Sequence, residues 1–224
     1  MKKWISFVSV GMLCLPLLFN WQALEVLRLK VFDAFVHTQN PSGHFVRLDI
    51  TEEDLERMGG WPFPRKTLAG IHNKLMYNGA LGVGWVIAFP QPDRFGGDDL
   101  FNAALSASPS VLAMFENTNG SYPPTQGTVI LGDGARGLRA SGVIQNTPEL
   151  RKNVSQGLAT ARADVDQLVR RMPLLLQGEQ ADQWVPTFGT EVLKILSNSG
   201  TYIINTEANE IVGIKLPNLG ELST

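Results

Sequence analysis

Hydrophobic and polar positions follow different periods along this chain, and each period predicts an element. From Trp4 to Leu24 no charged residue occurs, and a helix needs about 20 mostly apolar residues to cross the hydrocarbon core of a bilayer. From Leu24 to Val36, Leu24, Leu27, Val31 and Phe35 recur at helical spacing around Glu25, Arg28 and Lys30, which predicts an amphipathic juxtamembrane helix. Pro41, Ser42 and Gly43 break it. His44 to Ile50 predicts a short strand. Thr51, with Asp54 three residues later, predicts a capped helix running to about Met58. Arg65 to Tyr77 predicts a second helix, with Leu68, Ile71, Leu75 and Met76 on its buried face and Asn78-Gly79 as its stop. Leu81 to Phe89 is nearly all apolar, as a strand covered on both faces is expected to be.

Further on, Asp98 to Ala107 predicts a helix, Ser110 to Glu116 a strand, and the aperiodic stretch from Asn117 to about Gly127 a surface loop. Val129 to Leu131 and Gly142 to Ile144 fit short strands or loop. Gly157 to Ala163 and Leu168 to Leu176, on either side of Asp164-Val165-Asp166-Gln167, predict a β-hairpin. Pro186 to Leu196 predicts a helix with Phe188, Val192, Leu193 and Leu196 inward, and Tyr202 to Asn205 with Ile211 to Leu216 a last strand pair. The expected fold class is α/β, with α+β as the alternative. It comprises a mixed central sheet with flanking helices, preceded by one N-terminal transmembrane helix and a juxtamembrane helix.

Charge sets the topology. Lys2 and Lys3 precede the apolar run, so the positive-inside rule puts the N-terminus in the cytoplasm and the rest outside, in the periplasm or beyond the cell. Trp4 and Trp21 stand near the two ends of the run, where indoles favour the headgroup region. A cleaved signal peptide is the competing reading, but no clear small-x-small site follows. The expected organisation is a cytoplasmic tail at 1–3, an anchor at 4–24, the juxtamembrane helix at 25–37 and an extracytoplasmic domain at 44–224.

Across 224 residues, a net charge of -2 offers no bulk attraction to nucleic acid, and no nucleic-acid partner is expected. The one cysteine, Cys14, lies in the apolar run, leaving the exported part without a thiol for a disulfide, a zinc site or a nucleophile. His37, His44 and His72 have no metal-ligand spacing, and His72 sits beside core positions of its helix. Gly132, Gly134 and Gly137 lack the lysine and helix start of a phosphate loop. No catalytic residue, metal or cofactor is assigned.

The strongest candidate site is Trp61-Pro62-Phe63-Pro64-Arg65, where two prolines fix the backbone around an aromatic pair and a guanidinium. Arg65 either caps a carboxylate such as Asp49 or Asp93, or joins both at the C-terminal ends of adjacent strands to line a small-ligand pocket. Arg170 is expected to pair with Asp164 or Asp166.

Several segments, taken in order, resemble the second type of the CHASE family, extracellular sensory domains of bacterial adenylate and guanylate cyclases, histidine kinases and serine/threonine kinases. They are Leu27 to Phe35 with Asp33, the strand Leu48-Asp49-Ile50, Gly60 to Arg65, Phe89-Pro90-Gln91-Pro92-Asp93 with Asp98, and Asp164 to Arg171. Val86 and Gln91 stand where the family often carries acids, and Gln167 replaces its usual turn glycine, which predicts a different turn backbone, since glycine alone takes positive φ without strain.

The resemblance implies a membrane-anchored input domain of a signal-transduction receptor, with the output cyclase or kinase outside this chain. A structural or adaptor subunit of an envelope complex is the alternative. The ligand-binding candidates are Asp49, Trp61, Arg65, Asp93, Asp166 and Arg170. The candidates for signal transmission are Leu24, Leu27, Val31 and Phe35. The expected partners are a small ligand or an envelope protein, the membrane, and a second copy of the chain.

Overall fold

A computed structural model describes residues 22–36, 42–123, 127–134, 136–180 and 182–222. They belong to two compact units, one built from the chain up to Asp49 together with Ala161–Met172, the other from Ile50–Thr160 and Pro173–Thr224. Among the described residues no helix is long and apolar enough to cross a membrane, and the anchor expected at 4–24 lies outside them apart from residues 22–24.

The first unit contains helix α1, Gln22–Phe35. Leu29 is its buried residue, whereas Leu24, Leu27, Val31 and Phe35 are 39%, 57%, 52% and 76% exposed. The stripe with helical spacing is therefore on the surface of a single copy. The strand expected at His44 to Ile50 does not form: Phe45, Val46 and Leu48 are exposed, and among the described residues the stretch pairs with no strand, so its backbone groups have no ladder to join there.

The second unit begins with α2, Glu52–Met58, whose capping box is complete: the Asp54 N–H donates to Thr51 Oγ1 at 3.3 Å and the Thr51 N–H to Asp54 Oδ2 at 3.0 Å. Helix α3, Arg65–Tyr77, follows and leads to β1, Val83–Trp85. This strand is much shorter than the expected Leu81 to Phe89, and Leu81 and Val86 on either side of it are exposed. Beyond Trp85 the chain leaves the ladder, and the Phe89 N–H donates to the Asn146 side chain at 2.7 Å instead.

Helix α4, Asp98–Ser106, leads to β2, Ser110–Ser121, which pairs in parallel with β1 and with β5, Ser155–Leu158. The farther half of β2 pairs with β4, Val143–Ile144, through an irregular register. The loop expected from Asn117 is thus strand as far as Ser121, and residues 124–126 of it lie outside the described residues. Phe63, Leu68, Trp85, Phe89, Phe101, Leu105 and Leu112 form the core where α3 and α4 meet this sheet.

The second sheet runs in the order β10 (Gly220–Leu222), β9 (Glu210–Leu216), β8 (Tyr202–Glu207), β3 (Thr128–Leu131), so the expected final strand pair is present. Strands β6, Leu175–Gln177, and β7, Trp184–Pro186, make a separate antiparallel pair. The hairpin predicted across Asp164–Gln167 is absent. Ser155–Leu158 joins β2, Leu175–Gln177 pairs with Trp184–Pro186, and 161–172 between them belongs to the first unit.

Two short helices complete this unit, α5, Pro148–Arg151, and α6, Phe188–Leu196. The expected inward face of α6 is displaced: Thr190, Glu191 and Lys194 are buried, Phe188, Val192 and Leu193 half-buried, and Leu196 40% exposed. This helix packs on β2 and β5, and its charged side chains neutralise one another beside Tyr202, so its polar flank is covered as well. Gly84 on β1 marks the closeness of that packing, because a Cβ there would lie 2.7 Å from Phe188 Cζ.

Candidate functional site

In the first unit, Arg170 lies at the centre of three carboxylates. Its Nε and Nη2 donate to the two oxygens of Asp33 on α1 at 2.7 and 2.8 Å, a bidentate fork. Nη1 and Nη2 donate to the two oxygens of Asp166 at 2.7 and 2.6 Å, and Nη1 also reaches Asp164 Oδ2 at 3.1 Å. The Arg170 side chain is only 5% exposed. Hydrogen bonds from Arg170 hold the Asp166 carboxyl down at about 2 and lower that of Asp33, while the Asp33 and Asp166 carboxylates raise the guanidinium further. Arg171 lies over the Phe32 ring, 5.8 Å from its centroid, and 3.8 Å from Asp164.

The turn that presents these groups is held locally. The Asp164 carbonyl accepts from the Gln167 N–H, and the Leu168 carbonyl from the Asp164 N–H, each at 2.9 Å. Gln167 takes φ 68°, so the left-handed turn forms without glycine, against expectation. Arg170 fills Asp33, Asp164 and Asp166 with its own donors, and the network tolerates the strain of one residue in that region.

The second unit carries the Trp61–Arg65 turn. Trp61, 45% exposed, meets the buried Phe63 edge-on at 5.4 Å. Pro64 offers no side-chain cap to α3, and the first N–H of the helix, that of Arg65, donates instead to Asp93 Oδ2 at 2.7 Å. The guanidinium of Arg65 lies over the Phe89 ring at 4.2 Å, donates to the Gln91 carbonyl at 3.3 Å and is 3.5 Å from Asp98 Oδ1. Asp98 in turn accepts the Asp93 N–H at 2.7 Å. Burial lowers the Arg65 pKa, and the Asp98 and Asp93 carboxylates oppose that shift. These groups tie the 89–98 loop to the first turns of α3 and α4.

The structure thus brings Arg65 to Asp93 and Arg170 to Asp166, with Trp61 beside the first pair. Asp49 is on no strand and belongs to the first unit, where the Arg47 Nε contacts it at 3.0 Å. Asp93 stands in the loop after β1, not at a strand end. Asp33 and Asp98 complete the clusters although neither is a ligand candidate of the sequence; their one signal is that each lies in a segment that resembles the CHASE type, whereas Asp164 is a partner expected for Arg170.

Two buried polar groups lie apart from these clusters: His72, in the structural role expected of it beside core positions of its helix, and Glu191, which the pattern did not mark. His72 accepts from Trp85 Nε1 at Nδ1, 3.3 Å away, and its Nε2 is 2.8 Å from Ser108 Oγ, which makes it a neutral core histidine whose pKa burial lowers. Glu191 is fully buried, with Lys194 Nζ 2.7 Å from Oε1 and the Tyr202 hydroxyl donating to Oε2. Burial and the Glu191 carboxylate raise the Tyr202 pKa, keeping that phenol a donor.

The described residues form a mixed α/β framework in which buried cations hold the protein's own loops and helices. The family model for the CHASE2 domain matches residues 9–220, and the chain belongs to the CHASE2 domain family. This is a family of extracellular, non-catalytic sensory domains of signalling receptors. No curated protein and no solved structure matches the chain significantly.

Proposed function

We propose that this chain is the input domain of a bacterial receptor, held in the inner membrane by residues 4–24 with its N-terminus in the cytoplasm and its main domain outside. Its output, a cyclase or kinase, lies outside this chain. A ligand or envelope protein favours one arrangement of α1 over another, and the anchor carries the difference inward. A ligand with equal affinity for both arrangements shifts nothing.

The observation that carries this reading is the fork between Arg170 and Asp33. It fixes the helix that follows the anchor to a segment running between β5 and β6, so movement of that segment is transmitted to α1. The exposed stripe of Leu24, Leu27, Val31 and Phe35 supports a second copy as partner, because apolar residues at this spacing pair helices across a dimer axis.

The test uses the full chain carrying Cys14→Ser in native membranes. Leu27→Cys is expected to form a disulfide between copies and Leu29→Cys, buried, is not. Arg170→Gln should change the Leu27→Cys yield. Equal crosslinking at both positions, or a yield indifferent to Arg170, would sink the reading. Ser42→Cys should react with an impermeant maleimide added outside the inner membrane, and protection there would reverse the topology.

A further inference from the structure

The guanidinium groups in the two clusters above are already met by the protein's own acids. A different place in the second unit has the opposite balance. A cleft of about 650 Å³ is lined by Ser121, Tyr122, Gln145, Arg151, Lys152 and Gln156, with Pro148 beside them. No carboxylate is in its lining. Its volume falls in the range of about 300–1,000 Å³ that small-molecule sites occupy.

The lining exposes more apolar than polar surface, and it carries two cationic side chains. Among the described residues, Arg151 donates only to Gln145 Oε1, Lys152 has no acidic partner, and neither cation is in a salt bridge. Gln145 Nε2 is engaged with the Ser121 hydroxyl at 2.8 Å and the Tyr122 carbonyl at 3.0 Å, which leaves its oxygen facing Arg151. Gln156 is 2% exposed, and its Oε1 accepts from Asn146 Nδ2 at 2.8 Å and Asn146 N at 3.3 Å. Its Nε2 donates to no described group. The cleft therefore collects two positive charges and a nearly buried amide donor with no anion to meet them.

We propose that this cleft binds a small molecule through a carboxylate or phosphate group, with Arg151 and Lys152 supplying the charge and Gln156 Nε2 a directional hydrogen bond. Guanidinium beside ammonium and amide matches the planar or tetrahedral oxygens of such groups. The inference deepens the sensory reading and rests on it for its purpose: it gives the chemical class of the stimulus and moves its site from Arg65 to the cleft.

Succinate and inorganic phosphate are titrated separately into the full chain in detergent, following the melting temperature and the heat of binding. At least one is expected to bind saturably and raise the melting temperature, since a ligand of the folded form stabilises it by mass action. In Arg151→Gln/Lys152→Gln the affinity should fall by about tenfold or more, the size of one lost charge-assisted hydrogen bond. Lys74→Gln, remote in sequence and on α3, should leave it unchanged. If the double variant does not fold, Lys152→Gln alone, an exposed substitution, must weaken binding. Saturable binding by neither probe, or binding that survives loss of the cations, overturns the proposal. The crosslinking test above decides the sensory reading separately, so positive crosslinking with no anion binding removes the cleft and leaves the receptor.

Discussion

Lys194→Met isolates the most deeply buried charge in the described structure. Glu191 is fully buried, and its Oε1 lies 2.7 Å from Lys194 Nζ, itself 9% exposed at the side chain. Methionine keeps most of the length and apolar volume of lysine, so the substitution removes the cation with little change in packing. What remains is a buried carboxylate with the Tyr202 hydroxyl on its other oxygen. Breaking a buried pair by removing one partner costs about 3–5 kcal/mol, because the remaining charge keeps its desolvation penalty. For a chain of this size each kcal/mol lowers the melting temperature by about 2–4 °C, giving a fall of about 6–20 °C.

A second substitution separates charge from packing. Glu191→Gln/Lys194→Met removes the unpaired charge while keeping the shape of both side chains, and should recover most of the loss. Thermal melts by circular dichroism measure both variants. A fall of under about 1 kcal/mol in Lys194→Met, the size of an exposed pair, or no recovery in the double variant, would refute the argument.

Two further expectations follow from the pKa directions. The folded-state value of Asp166 is depressed from 3.8 to about 2, so its contribution is present above about 4 and is lost as pH falls through about 2; carbon NMR of the Asp166 carboxyl should show this midpoint, and in Arg170→Gln a midpoint near the ordinary value. An Asp166 midpoint near 4 in the unaltered chain would contradict the Arg170 cluster. His72 is depressed below 6.5, so stability is complete above that pH and declines as pH drops towards its folded value, where the unfolded chain binds the extra proton. His72→Leu should flatten that decline while costing about 1–3 kcal/mol by orphaning Trp85 Nε1. An unchanged slope in denaturant titrations across pH 5 to 7 would exclude the histidine as its source.

Much of the architecture was legible because it is local. The Thr51–Asp54 cap, the span of α3 and its Asn78-Gly79 stop, the Asp98 helix and the last strand pair are each written within a few residues, where propensity, capping and periodicity act. The buried face of α3, by contrast, turned out to be Arg65, Leu68, Ala69 and His72, with the expected Ile71, Leu75 and Met76 only half-buried. The anchor and its orientation are likewise sequence expectations, carried by an uncharged run behind two lysines. Family membership was legible too, through the Gly60–Arg65 turn and the Asp164–Arg171 segment.

The sequence alone did not determine where partners distant along the chain would meet. Alternating residues at 44–50 and around Asp164–Gln167 read as strands, but a strand exists only if a neighbour accepts its hydrogen bonds, and among the described residues none does so at 44–50 or 161–172. Arg170 could be matched locally to Asp164 and Asp166, whereas its bidentate partner Asp33 lies 137 positions earlier. On α6, periodicity gave apolar residues the interior, yet tertiary packing buried Glu191 and Lys194, because each neutralises the other and Tyr202 completes the set. Patterning determines which face of an element avoids water. Only the folded chain decides which charges are answered, and at Arg151 and Lys152 it leaves two cations facing a cleft without an acid.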